Sequence, residues 1–142
     1  MQSGLKVIAP ASVSNLACGF DTLGVAIDIP SDEMIGKWVD TPGVHIIEIT
    51  GKKKDIPLAA DHNIAGITAT ALLKHLGEDG RGLELRIHKH IPGGSGLGSS
   101  ASSATAAAVL VNELLNRPFE KRDLIPFALD GEMVASGSRH GD

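Results

Sequence analysis

Pro92-Gly93-Gly94-Ser95-Gly96-Leu97-Gly98-Ser99-Ser100-Ala101 sets four glycines among ten residues, between two segments of opposite character. Upstream, Leu83, Leu85 and Ile87 alternate with Glu84, Arg86 and His88. That period of two predicts a half-buried strand with its polar face outward, ending at the Pro92-Gly93-Gly94 break. Downstream, Ser99 to Leu115 begins with Ala, Ser and Thr, runs into Val109, Leu110, Val111, Leu114 and Leu115, and is halted by Pro118. This predicts a helix with small residues on every side at its start. The glycine-rich stretch therefore joins a strand to a helix. Glycines let successive backbone N–H groups converge on one point, and the helix start adds unpaired donors and partial positive charge. Such geometry fits a phosphate, and a first turn of small residues lets it come close.

Two rival phosphate motifs fail on their details. Gly93 to Ser100 has Walker A spacing, but Ser99 stands where the lysine is expected. Gly96 to Ala101 matches the dinucleotide fingerprint in its Ala-ended form, yet no strand ending in an acidic residue follows the helix, because Arg117 to Arg122 is polar. The plain alternative is a flexible turn before an Ala-rich buried helix, which the flanking strand and helix weigh against.

Working outward, Lys6 to Pro10 reads as a strand and Ala11 to Gly19 as a loop of small and polar residues. Leu23 to Ile29, Met34 to Val39 and Val44 to Thr50 read as an antiparallel meander, with Asp40-Thr41-Pro42-Gly43 as turn chemistry. Asn63 to Leu76 carries Ile64, Ile67, Ala71 and Leu72 at helical spacing, and Gly77 is its stop. A third helical region runs from Lys121 to about Val134, with Pro126 and Gly131 inside it. No repeat or second composition regime appears, so the expected architecture is α+β, one domain with helices packed on one sheet face.

Composition excludes several classes. The 142 residues, 42% hydrophobic, are one ordinary domain's worth of chain able to fill a core. A net charge of −4, with Lys52-Lys53-Lys54 as a solvated turn, leaves no footprint for nucleic acid. No apolar run approaches the roughly 20 residues that cross a bilayer, and the start shows no signal-peptide core, so a soluble cytoplasmic protein is expected. The single Cys18 cannot form an internal disulfide and reads as a small buried residue.

The string Pro92 to Ser102 resembles the signature P-x3-G-L-G-S-S-A of the GHMP kinases, the family of galactokinase, homoserine kinase, mevalonate kinase and phosphomevalonate kinase. Val7 to Gly24 resembles the family's first motif in its homoserine kinase version, and Gly131-Glu132 through His140-Gly141-Asp142 resembles the segment of that branch ending in His-x-Asp-Asn. The resemblance spans the whole chain. It implies residues 1–142 as the N-terminal ATP-binding domain, of the type seen in the second domain of a ribosomal protein, incomplete because the family's third glycine-rich motif and C-terminal domain are missing.

The resemblance also implies roles. Pro92, Gly93, Gly94, Ser95, Gly96, Leu97, Gly98, Ser99, Ser100, Ala101 and Ser102 would hold the ATP phosphates, and Ser100 and Glu132 would hold Mg2+ and act in catalysis. A hydroxyl and a carboxylate are hard oxygen donors suited to that ion. Asn15, Asp21, His140 and Asp142 would bind L-homoserine, Asp21 by pairing with its ammonium group. Asn63 resembles a position near the nucleotide base, and a helix cap is its plain alternative. The expected activity is Mg-dependent phosphoryl transfer to the homoserine hydroxyl in threonine biosynthesis, with no general base assigned and the fragment inactive alone. A homodimer is left open. The competing readings are a kinase for another small alcohol such as mevalonate or a sugar, a non-catalytic ATP-binding fragment, and a scaffold.

Overall fold

The computed structural model describes residues 4–14, 16–19, 22–52 and 55–136. Four strands, β1 (Leu5–Val13), β2 (Val25–Val39), β3 (Gly43–Gly51) and β4 (Gly82–Lys89), form a sheet in the order β1-β2-β4-β3. Three helices, α1 (Ile64–His75), α2 (Ser99–Leu114) and α3 (Ile125–Ser136), accompany it. Helix α2 lies against β1 and β2, α1 touches β3, and α3 packs on α1 and α2. The α+β architecture with helices on one sheet face is therefore the observed one.

Strand β4 carries the predicted alternation: Leu83, Leu85 and Ile87 are buried against the helices. Glu84 and Arg86 line the open face, where Lys37 pairs with Glu84 and Arg86 with Glu48. Met34 on β2, Leu72 and Leu73 on α1, and Leu110 and Val111 on α2 complete the core. Alanines let α2 sit deep in this core, with Ala104, Ala106, Ala107 and Ala108 all buried. Gly36 allows the closest approach to β2, since a Cβ there would lie 2.4 Å from a methyl group of Leu110.

The meander is corrected. Leu23–Ile29 and Met34–Val39 do not form separate strands; β2 runs unbroken from Val25 to Val39. Strand β3 pairs with β4 in parallel rather than with β2, so β4 separates two strands that are neighbours in sequence. The physical reason lies at Gly82, which faces Val39 on one side and Gly43 on the other. Residues 40–42 pass over this end of β4, where a Cβ on Gly82 would stand 2.0 Å from the Thr41 carbonyl oxygen. Only glycine leaves room for the crossing. Strand β1 is also longer than expected, taking in Ala11 to Val13 because, past a register shift after Pro10, these residues pair with Ile27, Ala26 and Val25 at the start of β2.

Helix α1 stops as predicted. Gly77 has φ +70° and the Glu78 N–H returns to the Leu73 carbonyl at 2.9 Å, a left-handed C-terminal cap. The third helical region is a 3-10 turn, Lys121–Leu124, running into α3, with Pro126 tolerated in the first turn. Lys52 is exposed, while Lys53 and Lys54 lie outside the described residues. Among the described residues no helix is long and apolar enough to cross a membrane.

Candidate functional site

Gly94, Gly96 and Gly98 all have positive φ, at +74°, +74° and +67°, so the loop needs glycine at each. Gly93 to Gly96 form an exposed arch, and Gly98 and Ser99 descend into the fold. The arch is tied at its base. Ser95 Oγ donates to the Pro92 carbonyl at 2.6 Å, and the Ser12 N–H of β1 donates to the Leu97 carbonyl at 3.1 Å. A Cβ on Gly98 would lie 2.2 Å from Ser12 Oγ, so β1 and the start of α2 meet only because this residue has no side chain.

Gly98 caps α2 through its backbone, its carbonyl taking the Ser102 N–H at 2.9 Å. The serines of the first turn face different ways. Ser99 Oγ donates to the Ile91 carbonyl at 3.2 Å, while the buried Ser102 hydroxyl gives its one proton to the Asp32 carboxylate, with the Ser99 carbonyl also within reach at 2.9 Å. Ser100 Oγ donates to Glu132 Oε2 at 3.0 Å. The structure thus brings together the two side chains expected to share a metal ion, although 32 positions separate them. Glu132 comes from α3, which reaches α2 because Gly131 lets it lie against Thr68 of α1.

Beside this first turn opens a cleft of about 350 Å³, lined by Asp61, His62, Asn63, Lys89, Ser100 and Ser103 among others. Asn63 acts as the cap of α1: its Oδ1 accepts the Ala65 N–H at 3.0 Å and its Nδ2 donates to the Pro57 carbonyl at 2.8 Å. Its capping role and its place on the cleft coexist. Asn15, Asp21, His140 and Asp142 lie outside the described residues. Cys18 is corrected from buried to exposed, in the short turn Ala17–Gly19.

Sequence reasoning missed two residues at the base of the loop. Lys89 Nζ, with its side chain only 1% exposed, pairs with the Asp32 carboxylate and donates to the Ser99 carbonyl at 2.7 Å and to Ser103 Oγ at 2.8 Å. Burial pushes the Asp32 pKa up, but bonds from the Ile91 N–H, Lys89 and Ser102, together with the Lys89 charge, outweigh it and hold the carboxyl below its ordinary 3.8. A signal was present. Lys89 falls in phase with Leu83, Leu85 and Ile87, and a cation on an inward face requires a partner.

The family profile described as GHMP kinases N terminal domain matches residues 63–142. A homoserine kinase of Xylella fastidiosa strain M12 is 44% identical over 137 residues, covering 96% of this chain and 42% of that protein. The crystal structure of homoserine kinase from Cytophaga hutchinsonii superposes with a TM-score of 0.93 at 44% identity, covering 99% of this chain and 44% of that one. The mevalonate kinase of Methanococcus jannaschii, at 16% identity and a TM-score of 0.74 over 96% of this chain and 48% of its own, shares the fold alone. The chain spans under half the length of the curated relatives it matches.

Proposed function

We propose a function from one premise: this chain belongs to the GHMP kinase family. Residues 1–142 are read as the ATP-binding half of a homoserine kinase, which transfers the terminal phosphoryl group of ATP to the side-chain hydroxyl of L-homoserine in threonine biosynthesis. The likeness to homoserine kinases at 44% identity supports the substrate. The observation that carries the chemistry is the Ser100–Glu132 contact at the mouth of a loop with three left-handed glycines.

In this reading the arch Gly93–Gly96 and the first turn of α2 present backbone N–H groups to the phosphates, and the adjoining cleft takes the nucleoside. Mg2+ fits the donor set, because a hydroxyl and a carboxylate already meet there and both are hard oxygen donors. Bound at Ser100 and Glu132, the ion would neutralise charge on the β and γ phosphates. Asn15, Asp21, His140 and Asp142 orient homoserine, with Asp21 holding its ammonium group. Phosphoryl transfer asks the protein mainly for positioning and charge stabilisation, so no residue here is assigned as a base.

The test is a chimera in which this chain replaces the matching part of the Cytophaga enzyme, assayed for Mg2+-dependent ADP release with L-homoserine, mevalonate or galactose. Release with homoserine alone, abolished by Ser100→Ala, is the expected result. Release only with another alcohol discards the substrate and keeps the kinase; a folded chimera that binds ATP and turns over none of the three discards the catalytic reading.

A further inference from the structure

Asp32 sits on β2, outside the glycine-rich loop, yet its carboxylate touches both ends of it. Oδ1 accepts the backbone N–H groups of His90 and Ile91, at 2.8 and 2.9 Å, on the chain entering the loop. Oδ2 accepts from Lys89 Nζ and from Ser102 Oγ, and Ser102 belongs to the helix that leaves the loop. Two oxygens with about four acceptor sites thus meet four donors, so Asp32 has no capacity left to bind a ligand. Lys89 extends the same brace, since its ammonium also holds the Ser99 carbonyl at 2.7 Å. Its ammonium also donates to Ser103 Oγ at 2.8 Å, near the start of α2. Asp32 and Lys89 are 2% and 1% exposed, so water competes little for these bonds.

A loop built from glycines has little stiffness of its own. Donors that must converge on an anion are effective when they are fixed before it arrives, and a displacement of about 1 Å far from the chemistry can cost roughly a hundredfold. We propose that Asp32 is the positioning residue of the phosphate loop: with Lys89 and Ser102 it clamps the entering and leaving chain at one point, setting the orientation of the arch and of the first turn of α2. This inference rests on the reading of the loop as the phosphate site, and it adds that phosphate affinity depends on a carboxylate that never meets the phosphate.

The experiment compares ADP with adenosine as ligands of this chain by titration calorimetry, because only ADP engages the loop. Asp32→Asn is expected to lower ADP affinity by roughly ten- to a hundredfold, with adenosine affinity held within about twofold and the far-UV spectrum unchanged. Should the unpaired Lys89 unfold that variant, Asp32→Glu, which keeps the charge beside Lys89 but displaces the carboxylate from the His90 and Ile91 N–H groups, is expected to give the same selective loss. Ser102→Ala, which keeps the ion pair, is expected to give a smaller loss of the same kind. Unchanged ADP affinity in a folded Asp32 variant overturns the proposal, as does an equal loss for ADP and adenosine, which marks a merely structural role. A wild-type chain that binds ADP no better than adenosine instead removes the phosphate reading underneath it.

Discussion

The Ser100 hydroxyl meets Glu132 Oε2 at 3.0 Å, so the first turn of α2 is joined to α3 at the edge of the loop. Under the magnesium reading, each side chain contributes one oxygen and neither should matter much to metal-free nucleotide. Glu132→Gln and Ser100→Ala are each expected to weaken ATP binding in Mg2+ by roughly tenfold, about 1.4 kcal/mol, and to leave binding in EDTA unchanged. Calorimetry in the two buffers checks this; equal losses in both place the pair outside the metal site.

Gly98 combines φ +67° with a side-chain position 2.2 Å from Ser12 Oγ. Gly98→Ala should therefore lower stability by roughly 1–2 kcal/mol from backbone strain alone, with the clash added. In a Ser12→Ala background the steric part should be recovered and the backbone part should persist. Urea unfolding of the single and double variants separates the two contributions, and full recovery in the double variant would count against the strain.

The depressed pKa of Asp32 gives stability a defined pH dependence. Between its folded value and the ordinary 3.8, the unfolded chain binds more protons at this site than the folded one, so stability rises with pH. The contribution is complete above the unfolded value and is lost as pH falls through the folded one. Unfolding free energies measured from about pH 5 downward should fall more steeply for the wild type than for Asp32→Asn. Parallel slopes would show that the carboxylate gains nothing from its cluster.

Gly131 and Thr68 form a size-dependent pair between α3 and α1. A Cβ on Gly131 would lie 2.1 Å from Thr68 Oγ1, a buried oxygen with no hydrogen-bond partner among the described residues. Gly131→Ala should cost about 1–3 kcal/mol by overpacking. In a Thr68→Ala chain the same change should turn stabilising, by up to about 1 kcal/mol, because alanine is the better helix former. A thermal-melt double-mutant cycle reads the sign reversal, and two destabilising outcomes would refute the pairing.

The features legible in the sequence are those written in neighbouring residues. The period of two in Leu83 to His88, the glycines between strand and helix, and the Gly77 stop all depend on residues a few positions apart. Strand order does not, because the apolar pattern of β2 and β3 suits a hairpin as well as two flanks of β4. Gly82 decides between them through a crossing that exists only in three dimensions. The Asp32–Lys89 pair spans 57 positions and carries no spacing rule. Its one local trace is the phase of Lys89 with the buried residues of β4. Ser100 and Glu132 were legible as types through family resemblance, and their meeting needed the packing of α3 on α2.

Because β4 lies between β2 and β3 but follows both in the chain, the ribosome delivers the middle of the sheet last. Until residues 82–89 emerge, β2 and β3 lack the strand that joins them in the sheet, and each presents an unpaired edge on that side. A nascent chain stalled or cut before Gly82 leaves those edges open to pairing with other chains.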